Sequence, residues 1–139
     1  MKIVLERIRK QTKGSGDFLD ITREIAEIVE SSRLRAGSVL VFVVGSTAAI
    51  TTFEYEPGLV ADMKDLYQAL APSGRPYYHD DTWGDANGFS HIRASLTGPS
   101  LSIPFEKGRL LLGTWQQVVL AEFDNRPRER EVVVQITGE

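Results

Sequence analysis

The chain has 139 residues, 16 Lys and Arg against 19 Asp and Glu for a net charge of −3, 42% hydrophobic and 25% charged residues, two His and no Cys. That size suits one domain, 1–139, whose composition is that of a globular chain and not a disordered one. The absence of cysteine excludes disulfides, thiolate zinc sites, iron–sulfur clusters and cysteine nucleophiles. The acidic surplus argues against nucleic acid as a partner. The longest purely apolar run, Val39 to Val44, is too short to span a membrane. No signal-like stretch opens the chain, so the expected location is the cytoplasm.

In chain order, residues 2–9 read as a strand with charge along one side, followed by a turn at Lys13-Gly14-Ser15-Gly16. Ile21, Ile25, Ile28 and Val29 share one helical stripe, with Asp20 or Thr22 as its cap and an end expected near Ala36-Gly37. Val39–Val44 is apolar throughout and reads as a strand buried on both faces. Gly45-Ser46 leads into a second strand over 47–54. Pro57 then suits the first position of a helix, whose predicted core stripe is Leu59, Met63, Leu66 and Leu70. Pro72-Ser73-Gly74 ends it. Residues 72–90 show no period and read as one loop, longer than a compact domain usually tolerates without a functional reason. Strands are predicted at about 91–97, 100–105, 109–114, 115–124 and 131–137, with turns at Gly98-Pro99 and Lys107-Gly108. The order predicts an α+β fold, a compact single domain with mainly antiparallel, sandwich-like sheets and two to three helices.

No dinucleotide, P-loop, zincin or nucleophile-elbow motif is present. The long loop instead gathers both histidines, His79 and His91, with Asp80, Asp81, Trp83, Asp85 and Asn87. Two imidazoles and a carboxylate are a workable first shell for a divalent ion, with open positions for substrate. The same Asp, Asn and Gly residues also close turns through their own backbone. Ser46 and Thr47, beside Gly45, offer hydroxyls and backbone N–H groups to an anion, although a bulge or tight strand connection explains them equally well. Glu54 is a candidate acid or base, and Glu54 and Glu56 also suit the N-terminal end of the Pro57 helix. In Asp124-Asn125-Arg126-Pro127-Arg128-Glu129-Arg130-Glu131, Arg128 and Arg130 fall on one side and the glutamates on the other. This reads as a charged strand edge more readily than as a phosphate clamp. Trp115-Gln116-Gln117 reads as a strand packing on a neighbouring sheet or subunit.

Together, Gly45-Ser46-Thr47-Ala48-Ala49-Ile50, the His79-Asp80-Asp81-x-Trp83-x-Asp85 loop and His91-Ile92-Arg93-Ala94-Ser95-Leu96 resemble the YjbQ-like family. Gly98-Pro99-Ser100-Leu101, Leu112-Gly113-Thr114-Trp115-Gln116-Gln117 and Asp124-x-Arg126-Pro127-Arg128 extend the resemblance across about residues 38–138. It implies a homotrimeric α+β protein. It also implies an activity of the secondary thiamine-phosphate synthase type, joining a pyrimidine diphosphate to a thiazole phosphate and releasing pyrophosphate. His79, Asp81, His91 and Glu54 are then the expected catalytic residues, and Ser46, Thr47, Trp83, Asp85 and Asn87 the expected substrate contacts. His79 and His91 are the expected ligands of a divalent ion, zinc or magnesium. Many relatives carry His where this chain has Gly45, and many read Asn-Gly-His-x-His where it has Asn87-Gly88-Phe89-Ser90-His91. Any metal here must therefore rest on two imidazoles and oxygen ligands. The partner expected is a phosphorylated small molecule, with neither nucleic acid nor membrane. The alternative is a protein that binds a metabolite, anion or metal without turnover.

Overall fold

The computed structural model describes residues 1–139. Its elements in order are β1 (Lys2–Gln11), β2 (Phe18–Asp20), α1 (Thr22–Ser32), β3 (Ala36–Val44), β4 (Ala48–Phe53), α2 (Pro57–Leu70), α3 (Asp80–Trp83), α4 (Gly88–Thr97), β5 (Ser100–Glu106), β6 (Arg109–Leu110), β7 (Gln117–Glu122) and β8 (Glu129–Gly138). The strands form one sheet in the order β1-β8-β3-β5-β6 and a second in the order β2-β7-β4, every pairing antiparallel. The chain is α+β, as its element order predicts, with four helices where two to three were expected.

Alternation along the strands builds the layers. Val132, Val134 and Ile136 of β8 and Val39, Val41 and Val43 of β3 turn inward, meeting Val118 and Leu120 of β7 and Ile50 of β4. The intervening residues of the smaller sheet, Ala49, Val119, Ala121 and then Phe123, face away and pack with Tyr67 of α2 and Ala94 of α4. The result is two sheets face to face, with α2 and α4 on the far side of the smaller one. α1 closes one flank of the inter-sheet core through Ile25 and Val29, both fully buried. Each such apolar side chain removed from water contributes about 1.5–3 kcal/mol, so alternation fixes the register of both sheets.

Several expectations are corrected. Within the chain, residues Val39–Val44 are not buried on both faces: Leu40, Phe42 and Val44 are 36%, 39% and 48% exposed, because no helix or strand of the chain packs on the outer side of the five-stranded sheet. α1 stops at Ser32, since Arg33 turns left-handed (φ 61°) and β3 already begins at Ala36. The core stripe of α2 is rotated. Val60, Met63 and Tyr67 face the sheet while Leu66 and Leu70 are exposed. The reason is the aromatic cluster beneath, where the Tyr67 ring lies 4.6 Å from that of Phe123. The helix starts as expected, with Pro57 in its first turn and the Glu56 carboxylate accepting the Gly58 and Leu59 amides.

The long loop is shorter than the sequence suggested. α3 occupies its middle and α4 begins at Gly88, so 91–97 is helix, not strand. The inward residues Phe89, Ser90, Arg93 and Ala94 recur at helical spacing, but the buried Arg93 hides that stripe in the sequence. Arg93 is tolerated inside because its Nε donates to the Ala71 carbonyl at 3.0 Å and its Nη2 to Gln68 at 2.9 Å. The predicted strand 109–114 survives only as β6, and Trp115 lies outside β7 and is 70% exposed, not packed on a sheet. β8 is an interior strand between β1 and β3, which corrects the reading of its start as a sheet edge. No helix is long and apolar enough to cross a membrane.

Candidate functional site

Three chain segments meet at one end of the inter-sheet core. The β3–β4 connection brings Ser46 and Thr47, the segment from α3 to α4 brings His79, Trp83, Asp85, Asn87 and His91, and the β7–β8 connection brings Asp124, Arg126 and Arg128. Together they line a polar cleft of about 250 Å³.

Beneath it lies a buried ion pair. The guanidinium of Arg130, 3% exposed, sits on the carboxylate of Glu122, 0% exposed, at 2.5 Å. Glu122 also accepts the Thr12 hydroxyl at 2.7 Å and the amides of Phe123 and Asp124 at 3.1 and 3.3 Å. A buried carboxylate satisfied by charge and by neutral donors is stable where a bare one would not be. Arg130 Nη2 reaches one step further and donates to the Thr47 hydroxyl at 2.7 Å.

Asp124 is the hub of the next layer. Its Oδ2 accepts from Thr47 at 3.3 Å and faces the Arg128 Nε at 3.2 Å. Its Oδ1 accepts the Asn87 side-chain amide at 3.3 Å and the Asn125 backbone amide at 2.8 Å. Burial pushes this carboxyl up, but the hydrogen bonds from Asn87 and Asn125, the charge of Arg128 and the Thr47 hydroxyl outweigh it and hold it below the usual range. One carboxylate thus ties together three distant parts of the sequence.

The histidine segment is shaped by Asp80. Its two oxygens accept the Tyr77 and Gly88 amides at 2.9 and 3.0 Å, closing the chain around α3. Gly88 is required at this closure because a Cβ there would come within 2.6 Å of Tyr77 Cβ. The closure sets the two imidazole rings 4.2 Å apart, tilted by 42°. Burial, and then the neighbouring His79, lower the pKa of His91 below its usual value, with Asp124 and Asp85 opposing the shift only in part. His79 Nδ1, Asn87 Oδ1 and Ser90 Oγ are buried without a hydrogen-bond partner. Unpartnered buried polar atoms are rare, and two of these, on His79 and Asn87, belong to residues that line the cleft and are spare capacity there.

Seven of the expected site residues come together here: Ser46, Thr47, His79, Trp83, Asp85, Asn87 and His91. Two do not line this cleft. Asp81 is exposed on the other side of α3, beside Arg75 and Tyr78, because helical geometry turns it away from its neighbour His79. Glu54 is exposed beyond the end of β4. Thr47 is present but already committed to Arg130 and Asp124, so Ser46 is the hydroxyl left free for a ligand. The donor set does not fit a resident divalent ion. No group of three His, Asp or Glu side chains is placed to hold an ion, and of the two carboxylates lining the cleft with the histidines, Asp85 and Asp124, the latter is occupied by its own partners.

Asp124, Arg126 and Arg128 line the cleft and do not form the charged strand edge that the sequence suggests, and the Glu122–Arg130 pair lies beyond the sequence reading. One signal for the pair was available. Glu122 interrupts the run Val118-Val119-Leu120-Ala121-Glu122-Phe123, and a lone charge in a buried strand requires a partner.

A family model described as UPF0047 protein YjbQ-like matches residues 6–139. A UPF0047 protein of Archaeoglobus fulgidus is 41% identical over 118 residues, 85% of this chain and 89% of its own. Another, from Methanothermobacter thermautotrophicus, is 34% identical over 138 residues, 99% of this chain and 94% of its own. The crystal structure of a YbjQ-like protein of unknown function from Sulfolobus solfataricus is similar with a TM-score of 0.89 at 31% identity, covering 99% of this chain and 100% of that one.

Proposed function

The chain belongs to the YjbQ-like UPF0047 family, and from that premise we propose that its cleft binds the phosphate end of a small metabolite and promotes release of pyrophosphate, in a reaction of the thiamine-phosphate synthase type. The observation that carries the reading is the joining of two guanidiniums, Arg126 and Arg128, with the free Ser46 hydroxyl and the paired imidazoles in one cleft. In such a reaction the thiazole ring nitrogen attacks the methylene carbon of the pyrimidine diphosphate with its lone pair. A carbon–nitrogen bond forms as the carbon–oxygen bond to diphosphate breaks, and the electron pair leaves on that oxygen. The residues' task is to stabilise this developing charge. Arg126, in no ion pair of its own, and Arg128 meet the leaving phosphates, with Ser46 as a neutral donor. His91, whose pKa burial and the neighbouring His79 lower, offers a further N–H donor. Trp83, 76% exposed, is a face on which a flat ring can stack. The nucleophile carries no proton on the attacking nitrogen, so the position of Glu54 outside the cleft is no obstacle.

A second reading, binding without turnover, is favoured by the cleft's volume. About 250 Å³ accommodates a diphosphate but not two heterocycles as well. Self-association into a trimer would enlarge the site. It is supported by the outer face of the five-stranded sheet, where Ile3, Leu5, Leu40, Phe42 and Val44 are exposed. Light scattering tests the trimer. Calorimetric titration with pyrophosphate and a turnover assay with the two phosphorylated heterocycles separate the two readings. Arg126→Ala should weaken pyrophosphate binding at least about tenfold, and His91→Ala should abolish turnover. Binding with no turnover by the wild type selects the second reading. Pyrophosphate binding that is undetectable, or unchanged in the Arg126 and Arg128 variants, refutes both.

A further inference from the structure

The largest concavity of the chain, about 770 Å³, is not the histidine cleft. It lies between the C-terminal end of α1 and the β5–β7 region, a separate part of the surface sharing no residue with the cleft above. Its charged lining is Arg33, Arg35, Lys107 and Arg109 against the single carboxylate of Glu30. That is a local excess of positive charge on a chain whose net charge is −3. None of the four cations belongs to an ion pair.

The cationic segments are held by backbone bonds, not by their charges. The Gly108 amide donates to the Arg35 carbonyl at 3.0 Å, which ties the β5–β6 turn to the chain leaving α1. The amides of Arg35 and Ala36 both donate to a main-chain oxygen of Glu139, at 2.6 and 3.0 Å. Two of the four cations, Arg33 and Lys107, occupy left-handed backbone at φ 61° and 55°. A side chain there costs about 1–2 kcal/mol that glycine would avoid. Thr114 and Gln116 add neutral hydrogen-bonding groups along the wall. A preorganised concavity of small-molecule size, rich in unpaired guanidiniums, is suited to an extended polyanion.

We infer that this concavity binds a small molecule carrying a chain of two or more phosphates, with Arg35 and Arg109 as its principal contacts. This site is independent of the pyrophosphate-releasing cleft and does not require that reading to hold.

The probe is inorganic tripolyphosphate, titrated calorimetrically into the full chain at low salt. One binding event should weaken at least about tenfold in Arg35→Ser/Arg109→Ser, and steeply with added salt. It should persist in Arg126→Ser/Arg128→Ser, which removes the guanidiniums of the other cleft. A second, surface variant, Lys107→Gln, guards against misfolding of the first and should weaken binding severalfold while the circular dichroism spectrum stays native. Tripolyphosphate binding that disappears only with the Arg126 and Arg128 variant overturns the inference. So does a change of oligomeric mass in Arg35→Ser/Arg109→Ser with unaltered binding, which would make the concavity a seam between copies of the chain.

Discussion

Replacing Arg130 by Met tests the physical basis of the site. The substitution keeps most of the side-chain volume but strips Glu122, which has no exposed surface, of its Nε and Nη2 contacts. Breaking a buried pair in this way costs about 3–5 kcal/mol, because one charge remains inside without its counter-ion. Here the carboxylate keeps the Thr12 hydroxyl and the Phe123 and Asp124 amides, which places the expected loss near the lower end, about 3 kcal/mol. Domains of this kind are stable by about 5–15 kcal/mol, so the loss is a large fraction of the whole. Urea denaturation followed by circular dichroism at fixed protein concentration measures it. With slopes of about 1–3 kcal/mol/M the midpoint should fall by about 1 M or more. Adding Glu122→Gln removes the stranded charge while its one carbonyl oxygen still accepts the Phe123 and Asp124 amides and its NH2 can donate to the Thr12 hydroxyl, so the double variant should regain at least about 1 kcal/mol. An Arg130→Met chain within about 1 kcal/mol of wild type, or a double variant no more stable than the single, would refute the assignment of this cost to an uncompensated buried charge.

The histidine pair predicts a pH dependence. His91 is held below its usual value, so between about 6.5 and its depressed folded value the unfolded chain binds the proton that the folded chain resists. Stability should therefore be level with respect to this group above about 6.5 and fall with pH through that window. NMR titration of the imidazole signals should place the His91 midpoint below about 6.5, and His79→Ala should raise it; a wild-type midpoint at or above that value contradicts the geometry. Asp124, also depressed, adds stability at neutral pH that is lost only in the acid range, as pH falls through its folded value. Backbone approach predicts a second contrast. A Cβ at Gly37 would come within 2.0 Å of the Thr137 carbonyl oxygen across the β3–β8 pairing, whereas one at Gly74 meets nothing within 4 Å. Gly37→Ala should lower the melting temperature far more than Gly74→Ala, whose cost is about 1–2 kcal/mol of left-handed backbone strain alone. Equal shifts would refute the clash.

What was legible in the sequence was whatever depends on neighbours along the chain. The stripe Ile21, Ile25 and Val29 gave α1, and Pro57 marked the start of α2. The concentration of His79, Trp83, Asp85, Asn87 and His91 pointed to the cleft they now line. What escaped depends on partners far away. The face of α2 was set by the rings of Phe18 and Phe123, not by its own leucines. α4 was missed because Arg93 occupies an inward position, made tolerable by Ala71 and Gln68 more than twenty residues earlier. Asp81 is a carboxylate close to His79 along the chain, yet the turn of α3 points the two in different directions. Asp124 stands in the sequence within a charged run and a family motif, but neither reveals its role, which consists in touching Thr47 and Asn87, 77 and 37 residues away.

The cleft's position follows from where the strands cease to be apolar. β3 ends in Val44 before Gly45-Ser46-Thr47, β7 ends in Glu122 and continues to Asp124, and β8 passes from Arg130 to Val132. Registers of Val44 opposite Glu131 and Ala48 opposite Glu122 bring these changes to the same end of the sandwich. The inter-sheet core is therefore closed by the Glu122–Arg130 pair in place of hydrocarbon. From that pair, Arg130 holds Thr47, Thr47 reaches Asp124, and Asp124 faces Arg128 and holds Asn87. The chain stays buried from the interior pair through Thr47, Asp124 and Asn87 and reaches the surface only at the partly exposed guanidinium of Arg128. Networks of this kind are rigid only while every member is satisfied. A loss at Arg130 should therefore reach the cleft through Thr47, loosening Asp124 and with it both Arg128 and the segment carrying the histidines. Stability at the core end and anion affinity at the surface end are two readouts of one connected structure.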